Sequence, residues 1–344
     1  MSPIQATWRL CRLRTRYPFA IARGSRQEWD RVHVRLEWEG LTGLGEAAPS
    51  AYYGETVETA QGALEVFAPL LGDDPHARQA IRRRWTAALG RGHGAARAAL
   101  DMALYDLAGQ ALGAPLYRFF GLDPAAAPVT SVTIGMGSEA EIREKVRAAT
   151  GAGFGILKVK LGGPADLETL RAVREEAPAA RIRVDANAAW DAGTAARMAG
   201  LLADSGVELL EQPVAAGDLE GLAKVNRLAA LPIFVDEGCV AAEDVPRVAG
   251  RCQGVVVKLG KTGGPGPAFQ QIVTARAHDL KVMIGCFIES SLGITAAAHL
   301  APAADLLDTD GALLLESDPF AGAVFTGLET RLPDRPGLGV TPRP

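Results

Sequence analysis

Seven short apolar runs in this 344-residue chain end on residues spaced almost evenly: Lys160, Asp185, Glu211, Asp236, Lys258, Cys286 and Asp308, with steps of 25, 26, 25, 22, 28 and 22 residues. One strand, one helix and two loops fill such a step, so the beat predicts repeated β/α units. Strand-like runs cover 129–134, 156–161, 182–185, 207–211, 233–236, 255–259, 282–286 and a stretch within 306–315. Helical patterns lie between them, as at 139–150, 166–176 and 193–205. Eight strand positions alternating with helices predict a (β/α) barrel, whose active residues gather where the strands finish. An open doubly wound sheet is the competing architecture, but it would not put functional residues on the end of nearly every strand.

The first 50 residues follow a different rule. Val32, Val34, Leu36 and Trp38 alternate with His33, Arg35 and Glu37, the period of half-buried antiparallel strands, and Glu39-Gly40 reads as a turn. Apolar residues three and four apart then predict helices over 56–71, 75–89 and 95–112. The chain therefore divides into an α+β unit over 1–125 and a barrel over 126–319, with the Pro- and Ala-rich stretch 123–128 at the boundary.

Composition excludes several functions. A formal charge of −4 with 22% charged residues offers no basic excess for nucleic acid. Arginines interrupt the opening residues where a signal peptide needs an apolar run, and no segment reaches a membrane span, so a cytoplasmic protein is expected. Cys11, Cys239, Cys252 and Cys286 lack metal or disulfide spacing and are expected as buried thiols. His33, His76, His93, His278 and His299 lie away from strand ends, and no Ser-His-Asp arrangement accompanies them. The stretch 151–155 precedes its strand, contrary to a dinucleotide loop, and 261–266 lacks the order of a phosphate loop, so Lys261 is read as a loop residue.

The strand ends carry the chemistry. Lys158 and Lys160 are two apart, so both ammonium groups share one strand face, and their like charge should make one of them easier to deprotonate. Asp185, Glu211 and Asp236 end successive strands; three buried carboxylates repel unless a cation joins them, and an oxygen-only set favours Mg²⁺. Helix caps or surface ion pairs are the alternative fate of such residues. Lys258 follows after three intervening strands, opposite Lys160 in a barrel. Asp308 and Asp310 could hold a cationic group, bind a metal or cap a turn.

In this order Lys158-Val159-Lys160, Asp185-Ala186-Asn187, Glu211-Gln212-Pro213, Asp236-Glu237, Lys258 and the run from Gly285 to Gly293 resemble the enolase superfamily, and within it the muconate-lactonizing-enzyme subgroup. The resemblance implies a modified (β/α)7β TIM-type barrel, an α+β capping domain completed by the C-terminal tail 320–344, and Mg²⁺ on Asp185, Glu211 and Asp236. The Asp308-Thr309-Asp310 run resembles that of the dipeptide epimerases, where the pair receives the substrate's ammonium. It further implies Thr133 and the Cys286-Phe287-Ile288 backbone as substrate contacts. The implied activity is Mg²⁺-dependent epimerisation of a dipeptide's C-terminal residue through an enolate, with Lys160 and Lys258 as opposed acid/base catalysts and Lys158 assisting. Glutamate-specific relatives use an arginine in the loop assigned here to 19–30, which holds Arg23 and Arg26, with Gly24 at the matching place. o-Succinylbenzoate synthase, N-acylamino acid racemase and muconate cycloisomerase share the scaffold, and a catalytically silent binding barrel is a different class again. No partner beyond a small-molecule substrate is implied, and a homo-oligomer is compatible with the chain.

Overall fold

The computed structural model describes residues 2–343. Strands β1 (Gln5–Ile21), β2 (Gly24–Trp38) and β3 (Leu41–Ala47) form an antiparallel sheet in that order. Val32, Val34 and Leu36 turn one face of β2 into a core with helices α1 (Val57–Phe67), α2 (Arg78–Leu89) and α3 (Gly94–Leu112). The other face departs from simple alternation. Arg31 and His33 are also buried, because that face meets the barrel, where Arg31 Nε donates to Ile288 O at 2.6 Å. Residues 19–30 are not a loop either: Phe19 pairs with Arg26 and Ile21 with Gly24 across a tight hairpin, after a bulge between Arg14 and Phe19.

Helix α3 is Ala-rich because it is buried all round. Ala99, Ala103 and Leu107 pack under the sheet, while Ala98, Met102 and Tyr105 join the barrel core. Gly43 and Gly45 of β3 lie against its backbone, where a β-carbon would collide with the carbonyls of Ala103 and Ala99. A short helix α4 (Leu116–Phe119) leads into the barrel.

The barrel strands are β4 (Val132–Ile134), β5 (Ile156–Lys160), β6 (Arg181–Asp185), β7 (Val207–Glu211), β8 (Ile233–Val235), β9 (Gly254–Val257), β10 (Lys281–Gly285) and β11 (Leu306–Asp308). Each pairs in parallel with the next, and the ring closes through Thr130 and Ser131, whose N–H donates to Leu307 O at 3.1 Å. Helices α5 (Glu139–Gly151), α6 (Asp166–Glu176), α7 (Ala192–Asp204), α8 (Leu219–Leu228), α9 (Val245–Val248), α10 (Leu259–Thr262), α11 (Pro265–Ala277) and α12 (Ser291–Ala298) fill the connections. After β11 comes a 3-10 turn, over Gly311–Leu314, and among the described residues no further α-helix, so the barrel is (β/α)7β and its last strand is shorter than the apolar run predicts. Among the described residues no helix is long and apolar enough to cross a membrane.

Period two within each strand sorts the side chains. Leu157 and Val159 pack outward against helices. Leu209, Phe234, Val256 and Met283 plug the barrel interior. The next inward layer toward the strand ends is the charged one. The tail returns over α3 and α4: Leu338 N donates to Asp106 Oδ1 at 2.8 Å and Leu116 N to Gly337 O at 2.9 Å. Cys239 and Cys252 are buried as expected, whereas Cys11 and Cys286 are partly exposed.

His299 is wholly buried beneath that tail, stacked on Tyr117, with Nε2 at 3.1 Å from the acceptor Leu338 O and Nδ1 unpartnered. Burial lowers its pKa to about 4 from an ordinary 6.5. The unfolded chain then binds the proton first, so His299 leaves stability intact above pH 6.5 and subtracts progressively as the pH falls to 4. The subtraction reaches about 3 kcal/mol. We expect His299→Gln to lose that component, so that in urea denaturation its stability converges on the wild type's as the pH falls through this window. Parallel pH profiles would contradict it.

Candidate active site

A cavity of about 740 Å³ separates the capping sheet from the strand ends. Thr133, Lys158, Lys160, Asp236, Lys258, Cys286, Phe287, Ile288, Asp308 and Asp310 all line it. Asp185 and Glu211 lie immediately beneath, with no exposed surface. Strand register brings them together: Lys160 is paired with Asp185, and Asp185 with Glu211, across β5, β6 and β7. At β10 the beat slips by one. Gly285, not Cys286, pairs with Asp308, and a side chain at Gly285 would press on the stem of Lys258.

The charges pair closely. Lys158 Nζ lies 2.7 Å from Asp308 Oδ2, 2.8 Å from Glu211 Oε2 and 3.2 Å from Asp185 Oδ2. Lys160 Nζ contacts Asp185 Oδ2 at 2.6 Å, and Lys258 Nζ contacts Asp236 Oδ2 at 2.7 Å. Burial opposes the charge on Lys158, yet Asp308, Glu211 and Asp185 outweigh it and hold this ammonium well above the usual lysine range. Burial likewise opposes charge on Lys258, and Asp236 overrides it. Like charge therefore does not loosen the proton of Lys158, because three carboxylates contact its ammonium and outweigh a neighbouring lysine.

Glu211 is the acid left short. Burial, then Asp185, push its pKa up to about 8. Its Oε2 is close to Lys158 but misaligned for a hydrogen bond, and Oε1 has no partner either. As the side chains stand, the carboxylates turn to the lysines, and among the described residues no three His, Cys, Asp or Glu are gathered tightly enough to hold a metal ion. The donor set itself fits Mg²⁺. Asp185, Glu211 and Asp236 offer hard oxygens from three neighbouring strands, and the unpartnered Glu211 has most to gain from a cation.

Asp308 and Asp310 differ. Asp308 Oδ1 accepts from Ser131 Oγ at 2.6 Å and Oδ2 from Lys158, so this carboxylate is already satisfied and its pKa is lowered despite burial. Asp310 Oδ2 accepts from Thr133 N at 2.6 Å, and among the described residues no other residue donates to it. Burial and Asp308 raise the Asp310 pKa to about 6. A cation entering the cavity therefore has more to offer Asp310 than Asp308. Burial of its sulfur, then Asp310, push the Cys286 thiol well up, which disfavours the thiolate. Phe287 N already donates to Glu289 Oε2 at 3.0 Å, and Ile288 O already accepts from Arg31.

Sequence reasoning missed three residues. Lys261 is buried, not in an open loop, with Nζ 2.6 Å from Asp236 Oδ1. Glu237 and Asn187 sit beside the carboxylates, and Arg23 from the hairpin reaches both, at 2.8 Å to Glu237 Oε1 and 2.6 Å to Asn187 O. Spacing held a trace of one: Lys261 lies three residues after Lys258, one helical turn away.

Residues 4–121 match the family described as mandelate racemase / muconate lactonizing enzyme, N-terminal domain, and 141–344 match enolase C-terminal domain-like. The chain is 37% identical over 329 residues to an L-Ala-D/L-Glu epimerase of Bacteroides thetaiotaomicron, covering 95% of this chain and 85% of that one. It is 39% identical over 335 residues to a hydrophobic dipeptide epimerase of Roseobacter litoralis, covering 95% and 96%. Among solved structures, a dipeptide epimerase from Enterococcus faecalis complexed with Mg and L-Leu-L-Tyr superposes with a TM-score of 0.93 at 33% identity, covering 99% and 100% of the two chains. A substrate-liganded L-Ala-D/L-Glu epimerase from Bacillus subtilis gives 0.94 at 31%, covering 99% of each.

If the orphaned Glu211 completes a cation site, Mg²⁺ at a hundredfold excess over its dissociation constant should stabilise the wild type by about 2.7 kcal/mol. Glu211→Gln should lose most of that response in thermal melts. An equal Mg²⁺ response in both proteins would remove Glu211 from the site.

Proposed function

The chain belongs to the mandelate racemase / muconate lactonizing enzyme family of the enolase superfamily, and on that premise we propose that it is an isomerase, a Mg²⁺-dependent dipeptide epimerase acting on the α-carbon of the C-terminal residue. One observation carries this reading: Lys160 at the end of β5 and Lys258 just beyond the end of β9 reach one cavity from strands four apart in a ring of eight. Groups so opposed can take a proton from one face of a carbon and return it to the other.

Asp185, Glu211 and Asp236 would hold the Mg²⁺. When bound, it would supply positive charge that raises the acidity of a carbon next to a carboxylate. Lys160 and Lys258 are each tied to one carboxylate, so each has a single ion pair to break before it meets substrate. Lys158, held by three carboxylates, is the less mobile of the lysines; it suits a fixed positive charge beside developing negative charge. Asp310, with Asp308 behind it, would receive the dipeptide's ammonium. Substrates of related isomerases that lack an ammonium would leave Asp310 with nothing to receive. The relatives named above as dipeptide epimerases support this assignment.

With an accepted dipeptide in D₂O, Lys160→Met should slow α-proton exchange from one C-terminal configuration by about 10²- to 10⁴-fold, and Lys258→Met from the other. Equal retention of both exchanges in either variant would sink the two-base assignment. Asp310→Asn should raise KM by about tenfold, the loss of one charged hydrogen bond, and N-acetylation of the substrate should have little further effect in that variant. An unchanged KM would remove the ammonium role.

A further inference from the structure

We propose that Lys261 is a positioning residue that holds Asp236 in place for a divalent cation. This rests on the reading of Asp236 as a metal-holding residue. Lys261 Nζ contacts Asp236 Oδ1 at 2.6 Å and Asp236 O at 2.7 Å, then Val256 O at 2.9 Å and Cys239 O at 3.1 Å. An ammonium has three protons, and here four oxygens compete for them. Its side chain has no exposed surface and does not line the cavity. Lys261 therefore has neither a free donor nor a path to substrate.

Lys258 makes the contrast. It caps the start of α10, and Lys261 N donates to Lys258 O at 3.1 Å within that turn. The two lysines take opposite oxygens of one carboxylate, Lys258 on Oδ2 at 2.7 Å and Lys261 on Oδ1. Lys258 borders the cavity and can leave; Lys261 cannot. When Lys258 moves, Lys261 still neutralises Asp236 and still fixes both its carboxylate and its main chain, leaving Oδ2 toward the cavity. The turn is itself braced. Gly94, the first residue of α3, packs so closely on the Gly260 and Lys261 carbonyls that a β-carbon there would lie 2.5 Å from Gly260 O. Gln271 Nε2 donates to the same Cys239 carbonyl at 3.1 Å.

A merely structural ion pair would affect melting and leave metal affinity alone, whereas outer residues that orient a ligand typically change metal affinity by about 10- to 100-fold. The test is calorimetric titration of the whole protein with MgCl₂. Lys261→Met and Lys261→Gln should each bind Mg²⁺ about 10- to 100-fold more weakly than wild type. The glutamine amide can still serve the Cys239 and Val256 carbonyls, so it carries the test if the methionine variant does not fold. Wild-type affinity in the folded variant overturns the assignment, whatever the melting temperature does. No Mg²⁺ binding by the wild type, or unchanged binding by Asp236→Asn, overturns instead the reading of Asp236.

Discussion

Burying an unpaired carboxylate costs several kcal/mol even after the protein relaxes, and this barrel buries Asp185, Glu211 and Asp236 at three neighbouring strand ends and Asp308 at the end of β11. Asp185, Asp236 and Asp308 are tolerable there because Lys158, Lys160, Lys258 and Lys261 are buried with them and touch them at 2.6 to 3.2 Å, which leaves Glu211 as the carboxylate without a hydrogen bond. Neither set could be placed without the other. The parallel strands supply the spacing, since register puts Lys160, Asp185 and Glu211 level with one another. The apolar layer of Leu209, Phe234, Val256 and Met283 beneath closes the barrel to water from the other end.

Within that balance the lysines are not equivalent. Lys158 and Lys261 each contact several oxygens, while Lys160 and Lys258 each contact one carboxylate; on the proposed reading the first two would serve as fixed charges and the second two as the mobile ones. A site that must move protons needs both kinds: mobile groups at the reacting carbon and immobile ones that keep the carboxylates in place when the mobile groups leave. The capping unit contributes from above. Arg23 pairs with Glu237, and Arg31 and Glu46 hold the segment after β10, where Ser290 N donates to Glu46 Oε1 at 3.0 Å.

Much of this was legible in the chain because a barrel converts sequence spacing into spatial convergence. The beat of strand ends identified the ring, and period two within Lys158-Val159-Lys160 identified which side chains face inward. It failed where backbone geometry changed. At β10 the inward residue is Gly285, which carries no side chain to be noticed; at α10 a single helical turn folds Lys261 back beneath Asp236. The hairpin at 19–30 escaped because the pairing that makes it a strand lies partly beyond a bulge. The like-charge argument, that one lysine of the pair would be easier to deprotonate, does not apply to Lys158 for a general reason: adjacency along a strand is visible in sequence, whereas the three carboxylates that outvote it arrive from other strands.

The central claim is that opposed lysines exchange a proton at the carbon next to a dipeptide's carboxylate. Mass spectrometry of a library of L,L-dipeptides incubated with the Mg²⁺-supplemented protein in D₂O tests it most directly. The account predicts that accepted dipeptides gain a single deuterium on the C-terminal residue's α-carbon, together with inversion at that centre. Deuterium on the N-terminal residue, or none in any dipeptide, would contradict it.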